Sequence, residues 1–146
     1  MALGAIGPDA RESVAGLKHR IAFEDIRTRV EIADALFRIK PDEAEPIEIC
    51  IKAIKNPDRE EVWIRACQVL EMMGANAAKA TPDLIIALKN KDVGVRVRAA
   101  EVLGSIGPAA KEAMPLLNVL LKDEHEKARK AAQEALERIR KDDAGK

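Results

Sequence analysis

The residues that could do chemistry are few and stand far apart. His19 and His125 are the only histidines, and Cys50 and Cys67 the only cysteines. His125-Glu126 would offer a metal two ligands at an exposed helix start, too few for a stable site. His19 has no matching carboxylate motif beside it. The cysteines lack CxxC spacing and partner histidines, so they read as reduced, mostly buried small hydrophobes and not as ligands or a disulfide framework. No nucleophile with a base, no P-loop and no Gly-rich dinucleotide fingerprint occurs. Acid–base work needs titratable groups converging in a cleft, which this pattern does not supply. The sequence therefore points to a non-enzyme with no catalytic residues, no metal and no cofactor.

The elements around these residues repeat. Leu3, Leu36, Leu70, Leu103 and Leu136 are separated by 33, 34, 33 and 33 residues. An isoleucine or methionine follows three residues on (Ile6, Ile39, Met73, Ile106, Ile139), and an apolar residue eighteen on (Ile21, Ile54, Leu88, Leu121). A fixed period of this size is the signature of a solenoid. Within the clearest copy, Val95, Ala99, Val102, Leu103 and Ile106 recur at helical spacing, Gly107-Pro108 breaks the helix, and Leu117, Leu120 and Leu121 form a second stripe. One unit is two helices, each with an apolar face that the pair alone cannot bury, so stacking is implied.

The expected fold is all-α: a right-handed α-solenoid of antiparallel helix pairs over residues 10–40, 41–74, 75–107 and 108–141. Residues 1–9 would be the remnant of a preceding repeat and 142–146 a tail. First helices are expected over about 10–22 and through EPIEICIKAIK, which stops near Asn56-Pro57; second helices over about 24–39 and 59–73. Thr81-Pro82-Asp83 is either a late start capped by Thr81 or a kink. The last helix, within Asp123 to Arg140, has a charged outer face and reads as a terminal cap.

Composition agrees with this fold and excludes other classes. Hydrophobic residues make up 47%, aromatic residues 2% and charged residues 34%, so the core must be aliphatic. Twenty-five basic residues balance twenty-five acidic ones, which gives no overall pull toward nucleic acid or an anionic membrane. The halves differ mildly, with 11 Lys/Arg against 14 Asp/Glu in residues 1–73 and 14 against 11 in residues 74–146. No apolar run is long enough to span a bilayer, and the N-terminus lacks a basic, apolar leader. The expected setting is cytoplasmic.

VRVRAAEVLGSIGPAAKEAMPLL at 95–117 and ALGAIGPDA at 2–10 resemble HEAT-like repeats of the bilin-lyase type, whose consensus runs V-R-x-A-A-x-x-A-L-G-x-I-G-x-x-A. The resemblance covers almost the whole length through looser copies. It implies scaffolds and binding modules, with a few enzymes among them. The family's second-helix arginine, which pairs with a loop carboxylate, falls on Arg29, Arg96 and Arg129. Trp63 stands there in the remaining copy, so the ladder is expected to break in the middle. HEAT-fold deoxyhypusine hydroxylases gather two irons with several His-Glu pairs, and this chain has one.

The resemblance also implies that second helices line a concave surface where partners lie. At 100° per residue, the position six before each leucine points most directly away from the core: Val30, Ile64, Val97 and then Lys130. Flanked by Trp63 and Phe37, these residues are either an apolar binding row or packing in the seam between repeats. Trp63, the only tryptophan, is a candidate hot spot or a partly buried structural residue. Arg27, Asp34, Glu61, Gln68, Glu101, Lys127 and Glu134 share the outward edge, and their signs cancel. With only Trp63, Phe23 and Phe37 for stacking, nucleic-acid binding is not expected.

The function expected is a non-catalytic protein–protein interaction or scaffolding module, cut from a longer protein, that binds another protein or peptide through its concave face. An unpaired front unit would favour end-to-end self-association. The alternatives are an accessory subunit of a bilin lyase or isomerase and an engineered repeat scaffold.

Overall fold

The computed structural model of the chain describes residues 8–141. Leu3, Ile6 and most of the proposed front remnant, together with the tail 142–146, lie outside the described residues. Eight α-helices follow one another: α1 (Pro8–Ile21), α2 (Ile26–Ile39), α3 (Glu45–Ile54), α4 (Glu60–Met73), α5 (Thr81–Ala87), α6 (Val93–Ile106), α7 (Met114–Leu120) and α8 (Glu126–Arg140). Short 3-10 segments, Gly74–Ala80 and Gly107–Ala113, lead into α5 and α7.

Local chemistry sets the ends. The Asp25 carboxylate accepts from the Arg27 and Thr28 amides at 2.8 and 3.1 Å and caps α2. Asp92 caps α6 by accepting from the Gly94 amide at 2.7 Å. Gly74 and Gly107 end α4 and α6 with φ of 55° and 73°, where a side chain would be strained. Pro82 and Pro115 then lie in the first turns of α5 and α7, where a missing N–H costs nothing. Thr81 is not the cap of α5. It has helical φ and ψ of −52° and −47°, and its buried Oγ1 has no hydrogen-bond partner among the described residues.

The helices form a two-layer all-α solenoid. Down the stack α2 packs on α4, α4 on α6 and α6 on α8, whereas the first helices of neighbouring pairs meet more sparsely, largely through the 3-10 segments. We term the more closely packed layer, α2, α4, α6 and α8, the inner one. The period appears directly as a core: Leu36, Leu70, Leu103 and Leu136 are all buried, as are Ile21, Ile54 and Leu88. Leu121, next in that series, is 37% exposed, because no further helix covers it among the described residues. Packing is tightest between α6 and α8, where a Cβ on Gly104 would lie 3.0 Å from the Ala135 Cα.

Candidate functional site

One register position fixes each second helix to the loop before it. Arg29 donates from Nε to the Glu24 carbonyl at 2.7 Å. Arg96 donates from Nη1 to the Asn90 and Lys91 carbonyls, both at 2.9 Å. Arg129 donates from Nη1 to the Asp123 and Glu124 carbonyls at 2.7 and 3.0 Å. In the remaining copy the Trp63 indole Nε1 donates to the Ile54 carbonyl at 3.0 Å. The ladder is therefore unbroken: an indole N–H replaces the guanidinium and answers a carbonyl left open at a helix end. Only Arg96 also reaches a carboxylate, that of Asp123. Trp63→Phe keeps most of the ring and removes the donor, and should lower stability by about 1–3 kcal/mol in urea unfolding followed by circular dichroism; an unchanged midpoint would mean the indole bond contributes nothing.

The inner surface consists of α2, α4, α6 and α8 with a groove at each seam. Between α2 and α4 the groove holds about 340 Å³, between α4 and α6 about 570 Å³, and between α6 and α8 about 250 Å³. Charges stitch the first seam. Arg65 of α4 donates to both Glu31 oxygens at 2.8 and 2.9 Å and to Asp34 at 2.8 Å, and Arg27 lies 3.6 Å from Glu61. Arg65 holds the Glu31 carboxyl below its ordinary value. For Asp34, burial pushes the carboxyl up, but hydrogen bonds from Arg38 and Arg65 outweigh it and the net direction is down. Between α4 and α6, Arg98 pairs with Glu71 at 3.4 Å and with Glu101 at 3.1 Å. Burial raises the Glu101 carboxyl against the opposing Arg98, with Glu71 and Glu134 adding to the rise. Arg27, Arg38, Arg65 and Arg98 thus face carboxylates within this surface and do not form an open track for phosphates.

The apolar row does not stand free along this surface. Val30 is fully buried and Trp63 is 2% exposed, because a second helix packs against first helices as well as against a neighbouring second helix, so the covered arc is wider than a single stripe. Ile64, Val97 and Phe37 are half-buried and pack against the core. Ile64 lines both the α2–α4 and α4–α6 grooves, and Val97 lines the latter. The structure adds Val93, Gly94 and Val95 to that groove. Gly94 was visible in the register, nine residues before Leu103, where the other second helices carry Arg27, Glu61 and Lys127.

Cys50 and Cys67 are free and buried. Burial pushes the Cys50 thiol up to about 12 and raises that of Cys67 as well, which suits packing and not reactivity. His125 is exposed, with Nδ1 3.2 Å from the Asp123 carboxylate. Among the described residues no group of three or more His, Cys, Asp or Glu is placed to hold a metal, and no helix is long and apolar enough to cross a membrane.

Residues 81–146 match the family described as HEAT repeats, the stretch that here forms α5 to α8. HEAT repeats generally mediate protein–protein interaction or scaffolding. No curated protein matches the chain.

Proposed function

We propose that the chain, whose residues 81–146 match HEAT repeats, is a non-catalytic binding or scaffolding module that engages another protein or peptide through the inner surface of α2, α4, α6 and α8. The observation that carries this reading is the pair of grooves flanking α4, where the half-buried aliphatic side chains of Ile64 and Val97 meet solvent between charged rims. An apolar floor with a polar rim is the anatomy of a protein-binding patch. The arginines of the surface, Arg27, Arg38, Arg65 and Arg98, are already paired with carboxylates, which favours a protein over a polyanion.

Capture from a cell extract tests it. The wild-type chain is compared with an Ile64→Glu, Val97→Glu variant and with an Ile86→Glu, Val119→Glu variant on the first-helix layer, where Ile86 and Val119 are 70% and 65% exposed. Circular dichroism first establishes that all three are folded. A protein retained by the wild type and by the Ile86/Val119 variant, and lost from the Ile64/Val97 variant, is the expected result. Retention by all three, or loss only from the Ile86/Val119 variant, would place the working surface elsewhere.

A further inference from the structure

The three seams of the inner surface are closed unequally, and a glycine, Gly94, lines the widest. Nine residues before each anchor leucine stand Arg27, Glu61, Gly94 and Lys127. Arg27 and Glu61 meet across the α2–α4 seam at 3.6 Å. Across the α4–α6 seam no such pair can form, because Gly94 has no side chain to send toward α4. The groove at this seam, about 570 Å³, is larger than those at the other two seams and within the range of ligand-binding clefts. Its floor is aliphatic, with Ile64, Val95 and Val97 around the nearly buried Trp63.

The rims of this groove carry charges with nothing to pair with. Asp58 and Glu60 on the α4 side, and Lys91 and Lys127 on the α6 and α8 side, are exposed and lining. None of the four has an ion pair or side-chain hydrogen bond among the described residues, although the neighbouring Glu61, Arg98 and Glu101 all do. The groove therefore has an apolar floor, unpaired acidic side chains on one bank and unpaired lysines on the other, where Asp92 beside Lys91 is engaged as the cap of α6. A cleft between two helices receives the ridge of a third, and an amphipathic helix presents an apolar stripe with charged flanks at the matching width.

Resting on the binding role proposed above, we infer that the α4–α6 groove takes one amphipathic helix of a partner protein, with an aliphatic stripe over Ile64, Val95 and Val97, a basic flank along Asp58 and Glu60, and an acidic flank along Lys91 and Lys127. Gly94 is the residue that admits it.

Three synthetic helical peptides of about 18 residues, long enough to be helical with favourable composition, test this. All share one leucine stripe; the flanks are Lys/Glu, Glu/Glu or Lys/Lys. Trp63 is the only tryptophan and lines the groove, so its emission reports occupancy, with calorimetry as a second readout. The Lys/Glu peptide should bind the wild-type chain at least about tenfold more tightly than either single-sign peptide. Asp58→Lys with Glu60→Lys, at exposed positions that leave folding intact, makes both banks basic and should move the preference to the Glu/Glu peptide. Gly94→Arg should abolish binding of all three. Equal binding of the three peptides, no binding by any, or an unaltered preference in the Asp58/Glu60 variant would overturn the inference. Self-association of the chain that Gly94→Arg abolishes would assign the groove to a second copy and overturn it too. A natural partner lost on substitution of Ile64 and Val97 but indifferent to Gly94→Arg would sink the helix-in-groove assignment while leaving the broader binding role standing.

Discussion

Leu103→Ala should cost the fold about 2–5 kcal/mol, as truncation of fully buried leucines does. Leu103 has no exposed surface, and its helix α6 packs against both α4 and α8. The cavity would therefore open at a point where two inter-repeat interfaces meet, and the close approach of Gly104 to Ala135 leaves α8 little freedom to collapse into it. In a stacked array, stability is a sum of units and the contacts between neighbours. Weakening α6 should thus broaden or split the urea transition as well as lower its midpoint, as the two ends of the stack uncouple. Glu137→Ala, at an exposed position of α8, should stay within about 0.5 kcal/mol of wild type. Equal effects of the two substitutions in urea unfolding would mean that the core has been wrongly identified.

The core was legible because packing in a solenoid is periodic and so leaves a periodic record. Leu36, Leu70, Leu103 and Leu136 are the same residue in four copies and are buried alike. Breaks were legible where the chain marks them with proline or glycine, as at Asn56-Pro57, Gly74 and Gly107. What the period could not convey was the width of the buried arc. A helical wheel treats each helix as touching one partner, whereas α2 touches α1, α3 and α4, and this is why Val30 is buried where a wheel points it outward. Function by hydrogen-bond type was also concealed. Trp63 breaks the arginine pattern as letters but keeps its chemistry, since the carbonyl at the end of α3 requires only an N–H at the right height. The unpaired banks of the α4–α6 groove depend on which side chains meet across the stack, and one-dimensional spacing does not resolve that.

Arg96→Ala should be the most damaging polar substitution, at roughly 2–3 kcal/mol, because it leaves a largely covered carboxylate without its cation. The guanidinium donates from Nε and Nη2 to the two Asp123 oxygens at 2.8 and 3.0 Å, and from Nη1 to the Asn90 and Lys91 carbonyls. The two side chains are only 11% and 10% exposed, so without Arg96 a carboxylate and two loop carbonyls lose their shared donor where water reaches poorly. Arg96→Lys should rescue little, since an ammonium cannot make the bidentate contact and reach both carbonyls. The same pair should be visible in the pH dependence of unfolding. Hydrogen bonds from Arg96, opposed by burial and aided by the His125 amide, lower the Asp123 carboxyl from 3.8 to about 2. Its folded pKa lies below its unfolded one, so its contribution is complete above about pH 4 and disappears as the pH falls toward 2. That contribution is on the order of 1–2 kcal/mol after allowance for screening. In Asp123→Asn this part of the acid slope should vanish, leaving a flatter profile between pH 4 and 2. An Asp123→Asn profile parallel to that of the wild type, or a loss below about 1 kcal/mol in Arg96→Ala, would show that the pair is not the clamp joining α6 to the loop before α8.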